Sequence, residues 1–310
     1  MGRQPRDRRL LESDSAAGAR RPIAALSGPG RRGALHRATP SLPRASERGR
    51  GGESRGVRTG APREAGVSYE PREFWERRLA QQFDLRGTGE AGLSLAYNQA
   101  CYRLRRKVLT RALKKRRFDP KGKRVLDVGC GTGFYTQYYV VRGADVTGLD
   151  IAPTAIERLR ARFPAARFLL ADVSEVALEE RFDLVNAFDV LYHITEDAKW
   201  ERALRTLGAA VAPGGLLLLT DTFPPPFRPQ RLAEHNRMRP LDSYVNLLRP
   251  AGLRAGRVIP THVLLNRELG RFRFLNRVPW LLYAADRALL RMGLGHDSAV
   301  SKLLVARRSG

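Results

Sequence analysis

The clearest hydropathy pattern runs from residue 125 to 222, where short apolar runs alternate with longer stretches whose apolar positions recur every three or four residues. Strands are predicted near 125–128, 145–149, 167–170, 183–187 and 215–220, and helices near 134–142, 154–163 and 197–210. The strand runs stay apolar at successive positions, which suits strands covered on both faces. Their alternation with helices predicts an α/β fold with a mostly parallel sheet. A further helix is expected at 242–251, ending at Gly252, with strand-like runs at 253–259 and 299–306. No internal repeat is visible.

Upstream, the pattern changes twice. Glu73, Phe74, Trp75, Leu79, Phe83 and Leu85 mix apolar and charged residues at helical spacing, and a longer basic amphipathic helix is predicted over 97–115, ending before Pro120 and Gly122. Residues 1–65 show no such spacing. They hold 10 Gly and 6 Pro among Arg and Ser, a composition that cannot bury enough surface to offset ordering entropy, and a disordered tail is expected. The expected organisation is therefore a tail over 1–65, a helical lid over 66–124, and a domain over 125–310 carrying a cap insertion at about 261–298.

The net charge of +25 is unevenly placed: 15 Arg against 6 acids over 1–65, 16 basic against 6 acidic residues over 66–124, 9 against 14 over 125–222, and 16 against 5 over 223–310. The best-patterned segment is thus the acidic one. A protein built around a polyanion would keep basic charge beside its chemistry, so nucleic acid is not the expected partner. Two cysteines and five histidines among 310 residues are too few for a disulfide framework or a four-ligand zinc centre, so no metal is expected and a reducing, cytoplasmic setting is. No apolar run is long enough to span a membrane, and no apolar run follows Arg8-Arg9 as an export signal requires.

One motif carries specific chemistry: Val125-Leu126-Asp127-Val128-Gly129-Cys130-Gly131-Thr132-Gly133, between a predicted strand and a predicted helix. Glycines there let the chain turn sharply and let a ligand approach the main chain. The spacing departs from the dinucleotide fingerprint, whose third glycine would fall at Phe134. It resembles instead the first motif of the class I S-adenosylmethionine-dependent methyltransferases, and the likeness continues in order through Gly148-Leu149-Asp150, Leu170-Ala171-Asp172, Asn186-Ala187-Phe188-Asp189 with Leu191-Tyr192-His193, and Pro213-Gly214-Gly215.

The resemblance implies a Rossmann-like seven-stranded sheet with one antiparallel strand near the C-terminus, and S-adenosyl-L-methionine as cofactor. It implies that Gly129, Gly131 and Gly133 shape the cofactor loop, that Asp127 meets the methionine amino group, that Asp150 holds the ribose, that Asp172 meets the adenine amino group, and that Phe188 lies beside the methionine moiety. Methyl transfer needs a base only for a weakly nucleophilic acceptor. His193, Asp189 and Tyr192 are the first candidates, followed by Asp221 and His235, and His193 also has a purely structural reading. Cys130 reads as a small filler.

Trp75, Phe83 and Tyr97 are expected to lid the cofactor, and the cap insertion is expected to wall the acceptor pocket. Its stripe of Trp280, Leu281, Leu282, Tyr283, Leu289 and Leu290 beside Arg277, Arg287 and Arg291 reads as a packed cap helix, with peripheral membrane contact as the alternative. The expected acceptor is a small molecule or glycan building block, carboxylate- or phosphate-bearing or lipid-linked, methylated on oxygen or nitrogen. Nucleic acid methylation is disfavoured because the fourth strand ends Asn-Ala-Phe-Asp, without the double proline of amino-nitrogen base methylases. A cofactor-binding scaffold without activity is the non-enzymatic alternative.

Overall fold

The computed structural model describes residues 69–225, 234–266, 269–295 and 301–310, all within the unit Glu64–Gly310. The expected tail over 1–65 lies outside the described residues. The chain begins with helices α1 (Pro71–Gln81) and α2 (Leu95–Lys115). The alternating region follows as β1 (Arg124–Val128), α3 (Phe134–Val140), β2 (Asp145–Asp150), α4 (Pro153–Arg162), β3 (Arg167–Leu170), β4 (Phe182–Phe188), α5 (Asp197–Ala210) and β5 (Val211–Asp221). The C-terminal part comprises α6 (Leu241–Leu248), β6 (Leu253–Ala255), β7 (Ile259–Pro260), α7 (Pro279–Arg291) and β8 (Lys302–Arg308). Short 3-10 turns lie at Leu191–His193 and Gly270–Arg277.

The sheet order is β3-β2-β1-β4-β5-β8-β6, with β8 antiparallel to both its neighbours and every other pair on that path parallel. The two-residue β7 pairs with β8 beyond this path and raises the count from the expected seven to eight. It arises where the single run expected at 253–259 breaks. Ala255 faces Ala306 and Ile259 faces Leu303, so four steps on one strand oppose three on the other, a bulge centred where the Gly256 N–H meets the Val305 carbonyl.

Alternation along each central strand splits the apolar side chains between two cores. Leu126, Val128, Val185, Ala187, Leu217 and Leu219 face one layer with Trp200, Leu204 and Leu207 of α5. Val125, Leu184, Leu216 and Leu218 face the other with Leu109 and Leu113 of α2 and Tyr139 of α3. Asp127 and Asn186, directly opposite each other on β1 and β4, interrupt that second face. Between β1 and β4 the strand order reverses, which opens a crevice at their carboxyl ends.

The N-terminal helices cross this crevice. Ser94 caps α2, its hydroxyl accepting the Tyr97 N–H at 3.2 Å. From α1, the Glu76 carboxylate accepts the Thr154 N–H at 2.9 Å and its hydroxyl at 2.6 Å, which fastens α1 to the first turn of α4. The cap insertion packs on α2 rather than over the sheet: Leu265 and Leu282 join Tyr97, Ala100, Cys101 and Leu104. The buried Asp286 carboxylate organises it by accepting the N–H groups of Val263, Leu264 and Leu265. No described helix is long and apolar enough to cross a membrane.

Candidate active site

The loop after β1 turns on glycines in left-handed conformation, with φ of +66° at Gly129, +50° at Gly131 and +78° at Gly133. A side chain is excluded by space as well as by backbone angle. A Cβ at Gly129 would lie 2.3 Å from the Val190 Cγ2, and one at Gly133 2.5 Å from the Leu159 Cδ2. The N–H groups of Gly129 and Cys130 both reach the Leu149 carbonyl, at 2.7 and 3.1 Å, tying the loop to β2. Cys130 itself is buried against Ile156, Leu159 and Phe168.

Acids stand at the ends of β2, β3 and β4. The Asp150 carboxylate accepts the Gly131 N–H at 2.8 Å on one oxygen and the Ala152 N–H at 2.9 Å on the other. It therefore fixes both the glycine loop and the entry to α4, while each oxygen keeps a second lone pair. Burial pushes its pKa up, opposed by those backbone donors. Asp172 turns on itself, its carboxylate accepting the Ser174 N–H at 2.7 Å.

Asp189 is the most constrained of the three. Its φ of +58° is left-handed for a residue with a side chain, a conformation that persists only where the surroundings enforce it. Here the Asp189 N–H donates to the Thr220 hydroxyl at 2.9 Å, that hydroxyl donates back to the carboxylate at 3.0 Å, and Arg105 of α2 forms an ion pair with the other oxygen. Arg105 and Asp189 are 6% and 14% exposed, so this pair is nearly dry.

These groups meet in one cleft, lined by Gly129, Gly131, Asp150, Asp172, Phe188, Asp189 and His193. Trp75 and Leu79 of α1 and Tyr102 of α2 close it from the N-terminal side. The structure does not bring Asp127, Gly133 or Tyr192 to the cleft. Gly133 caps α3 from behind the loop. Asp127 lies on the α3 side of β1, only 1% exposed, where one oxygen accepts the Asn186 amide at 2.8 Å and the other the Thr136 hydroxyl at 2.7 Å. Burial raises its pKa to about 6. With Tyr139 donating to Asn186 at 3.1 Å, this network anchors α3 to the sheet.

The other expected lid and base residues divide as well. Tyr97 turns away from the cleft, its hydroxyl accepting the Asn266 N–H at 3.0 Å. Phe83 packs beside Leu79 and Ala155, below the Arg158 guanidinium. None of the described residues of the cap lines the cleft, because α2 stands between them. Asp221 is fully buried and accepts the Tyr244 hydroxyl, with its pKa raised to about 6 by burial. Thr88, Tyr102, Tyr135 and Lys199 line the cleft without having been singled out in the sequence, and Arg105 acts just behind it. Arg105 alone left a trace there, as a charge on the apolar face defined by Cys101, Leu104 and Val108.

His193 lines the cleft inside an aromatic stack, 4.8 Å from the Trp75 ring, 4.3 Å from Tyr192 and 5.8 Å from His235. Its Nδ1 lies 2.9 Å from the His235 carbonyl, which can only accept, so Nδ1 carries the hydrogen and Nε2 holds the lone pair. Burial lowers its pKa to about 3, helped by the charges of His235 and Arg78 and opposed by the His235 carbonyl. A histidine near 3 when folded and near 6.5 when unfolded binds fewer protons in the fold across that interval. Its stabilisation is complete above 6.5 and is lost as pH falls toward 3. The stability gap between wild type and His193→Phe should therefore shrink on acidification from about pH 7 to about pH 5, measured by urea unfolding, with other titrating groups cancelling in the difference. A pH-independent gap would show the imidazole to be solvated.

The profile of the family described as "Methyltransferase domain" matches residues 97–255, about half the chain and all of the sheet from β1 to β6. The ubiquinone biosynthesis O-methyltransferase of Acinetobacter baumannii (strain ACICU) is 39% identical over 101 residues, covering 30% of this chain and 41% of that protein. Nodulation protein S of Rhizobium tropici is 35% identical over 96 residues, covering 30% and 40%. The chain thus spans about two fifths of the length of these relatives. Among solved structures, N-methyltransferase NodS from Bradyrhizobium japonicum WM9 in complex with S-adenosylhomocysteine superposes with a TM-score of 0.46 at 17% identity, covering 66% of this chain and 86% of that one.

A glycine-turned loop, carboxylates at successive strand ends and an open cleft between them suit a nucleoside cofactor. By its matched profile and its motifs, the chain belongs to the class I S-adenosylmethionine-dependent methyltransferase family.

Proposed function

We propose that this protein transfers the methyl group of S-adenosylmethionine to an oxygen or nitrogen of a small-molecule acceptor, producing S-adenosylhomocysteine. The observation that carries this reading is the convergence of the glycine loop with Asp150, Asp172 and Asp189 on one cleft. Its charge supports the same reading. Glu70, Asp150, Asp172 and Glu196 line the cleft against a single lysine, Lys199, with Asp189 already neutralised by Arg105, a lining that attracts a cationic cofactor. Of the described basic residues only Lys199 lines the cleft, so the cleft favours a neutral or weakly acidic acceptor. A relative named as an O-methyltransferase supports oxygen as an acceptor atom.

S-adenosylmethionine supplies a methyl carbon activated by its sulfonium charge, so the residues of the chain chiefly bind, orient and exclude water. Asp150 would hold the ribose hydroxyls with the lone pairs left free by Gly131 and Ala152, and Asp172 would meet the adenine amino group. Trp75, Leu79 and Tyr102 cover the cleft. The Arg105–Asp189 pair fixes the end of β4 beside Phe188, where the acceptor would sit. His193 Nε2 is oriented to accept a hydrogen bond from an acceptor hydroxyl or amine. Its suppressed basicity makes that a positioning contact first, with proton removal suited to an acidic hydroxyl. Asp189, held by Arg105, and Tyr192, whose hydroxyl burial pushes far up, are not poised as bases.

The test is incubation of the protein with labelled S-adenosylmethionine and fractionated metabolite extracts, followed by mass identification of the labelled product. A labelled small molecule formed only with active protein is the expected result. Label appearing solely in RNA, or calorimetric binding of the cofactor with no labelled product in any fraction, would overturn the reading.

A further inference from the structure

The exposed large apolar side chains are concentrated in one short segment. Among the described residues nine such side chains stand out, and six of them, Phe272, Phe274, Trp280, Leu281, Met292 and Leu294, belong to the 3-10 turn at 270–277, to α7 and to the turn after it. Trp280 is 69% exposed, although a tryptophan normally buries most of its surface. Along α7 the exposed positions are Trp280, Leu281, Ala284, Ala288 and Arg291, so its outward face is apolar until the arginine of the last turn.

The charge around this face has one sign. Arg271, Arg273, Arg277 and Arg291 are exposed beside the apolar residues, and the segment's described acid, Asp286, is buried on the inner face of α7. On the adjoining surface of α2, which contains no acidic residue, Arg103 and Lys107 lie 5.9 and 5.5 Å from the Tyr283 ring of α7.

Exposed aromatics set among arginines form the surface of an interfacial element, with rings at the depth of lipid headgroups and cations toward phosphates. A second copy of the chain would bring arginines against arginines, and residues 1–65 carry the same sign. We propose that the face built from the 3-10 turn at 270–277 and α7, flanked by the basic side of α2, docks on the surface of an anionic phospholipid bilayer. Because α2 also lines the cleft through Tyr102, a protein docked in this way brings its cleft beside the headgroup layer. The inference does not depend on the methyl-transfer reading.

The experiment is sedimentation of the full chain with vesicles of phosphatidylcholine alone and of phosphatidylcholine mixed with phosphatidylglycerol. Binding to the mixed vesicles, weakened by salt, is expected. The double variant W280S/L281S should partition about tenfold less, and each of Arg271→Ala, Arg273→Ala and Arg277→Ala should lower partitioning about fivefold. Thermal shifts with S-adenosylhomocysteine that match wild type would show that the variants fold and keep the cleft. The proposal is overturned by absence of binding to mixed vesicles, by equal binding to neutral ones, by undiminished binding of the variants, or by capture of an RNA oligonucleotide in place of vesicles.

Discussion

Arg105→Met should be the most damaging single substitution in the cleft region, lowering folding stability by about 3–5 kcal/mol, the cost of leaving one member of a buried ion pair alone. The substitution removes the partner of Asp189 in a setting where neither side chain has much access to water. It also releases a strained backbone. The left-handed Asp189 is held by Arg105 and Thr220 together, so losing one support should let the end of β4 relax and drag Phe188 with it. In a chain of this size the loss corresponds to a fall in melting temperature of about 6–20 °C. Adding Asp189→Asn should restore part of it, because the stranded charge is gone, and a double-mutant cycle by urea unfolding would read the coupling. An R105M variant that melts like wild type would show that the pair is solvent-screened.

Asp150→Ala is the second large effect, and it reaches the cofactor as well as the fold. The carboxylate holds the Gly131 and Ala152 N–H groups, both in buried surroundings, and each left without a partner costs about 1–3 kcal/mol. The loop between β1 and α3 then loses its brace to β2, and the ribose loses a charged acceptor. S-adenosylhomocysteine affinity measured by calorimetry should fall by about 1–3 kcal/mol beyond any loss of stability. Asp150→Asn separates the two roles. Its side-chain oxygen can keep one backbone donor, so it should fold better than the alanine variant while still binding the nucleoside poorly. Unchanged affinity in both variants would make Asp150 a brace for the loop alone.

Much of this architecture was legible from the chain. The central strands were readable because a parallel strand buried on both faces is apolar at successive positions, and α5 was found at its observed limits because its apolar spacing is unbroken. The break between β6 and β7 was not readable, since Gly256 marks a bulge only once Val305 is known to lie opposite. The site was legible in parts for a similar reason. Gly129, Gly131, Asp150 and Asp172 sit at strand ends where the motif alone sets their direction. Asp127 shares the parity of Val125, and that alternation, followed strictly, turns it toward α3 and away from the cleft. The partnership of Arg105 and Asp189 spans 84 positions and two elements whose packing no local pattern reports.

The fastening of α1 to α4 through Glu76 has a consequence for traffic through the cleft. Trp75 and Leu79 roof the opening from the same helix whose carboxylate grips Thr154, so lifting the roof and freeing the first turn of α4 are one event. Two hydrogen bonds, each worth about 1 kcal/mol net, act there beside the packing of Leu79 on Ala152 and Ala155. A nucleoside passing beneath α1 would have to part this latch and the aromatic contacts of Phe74 and Trp75 together, which couples the roof of the cleft to the start of α4.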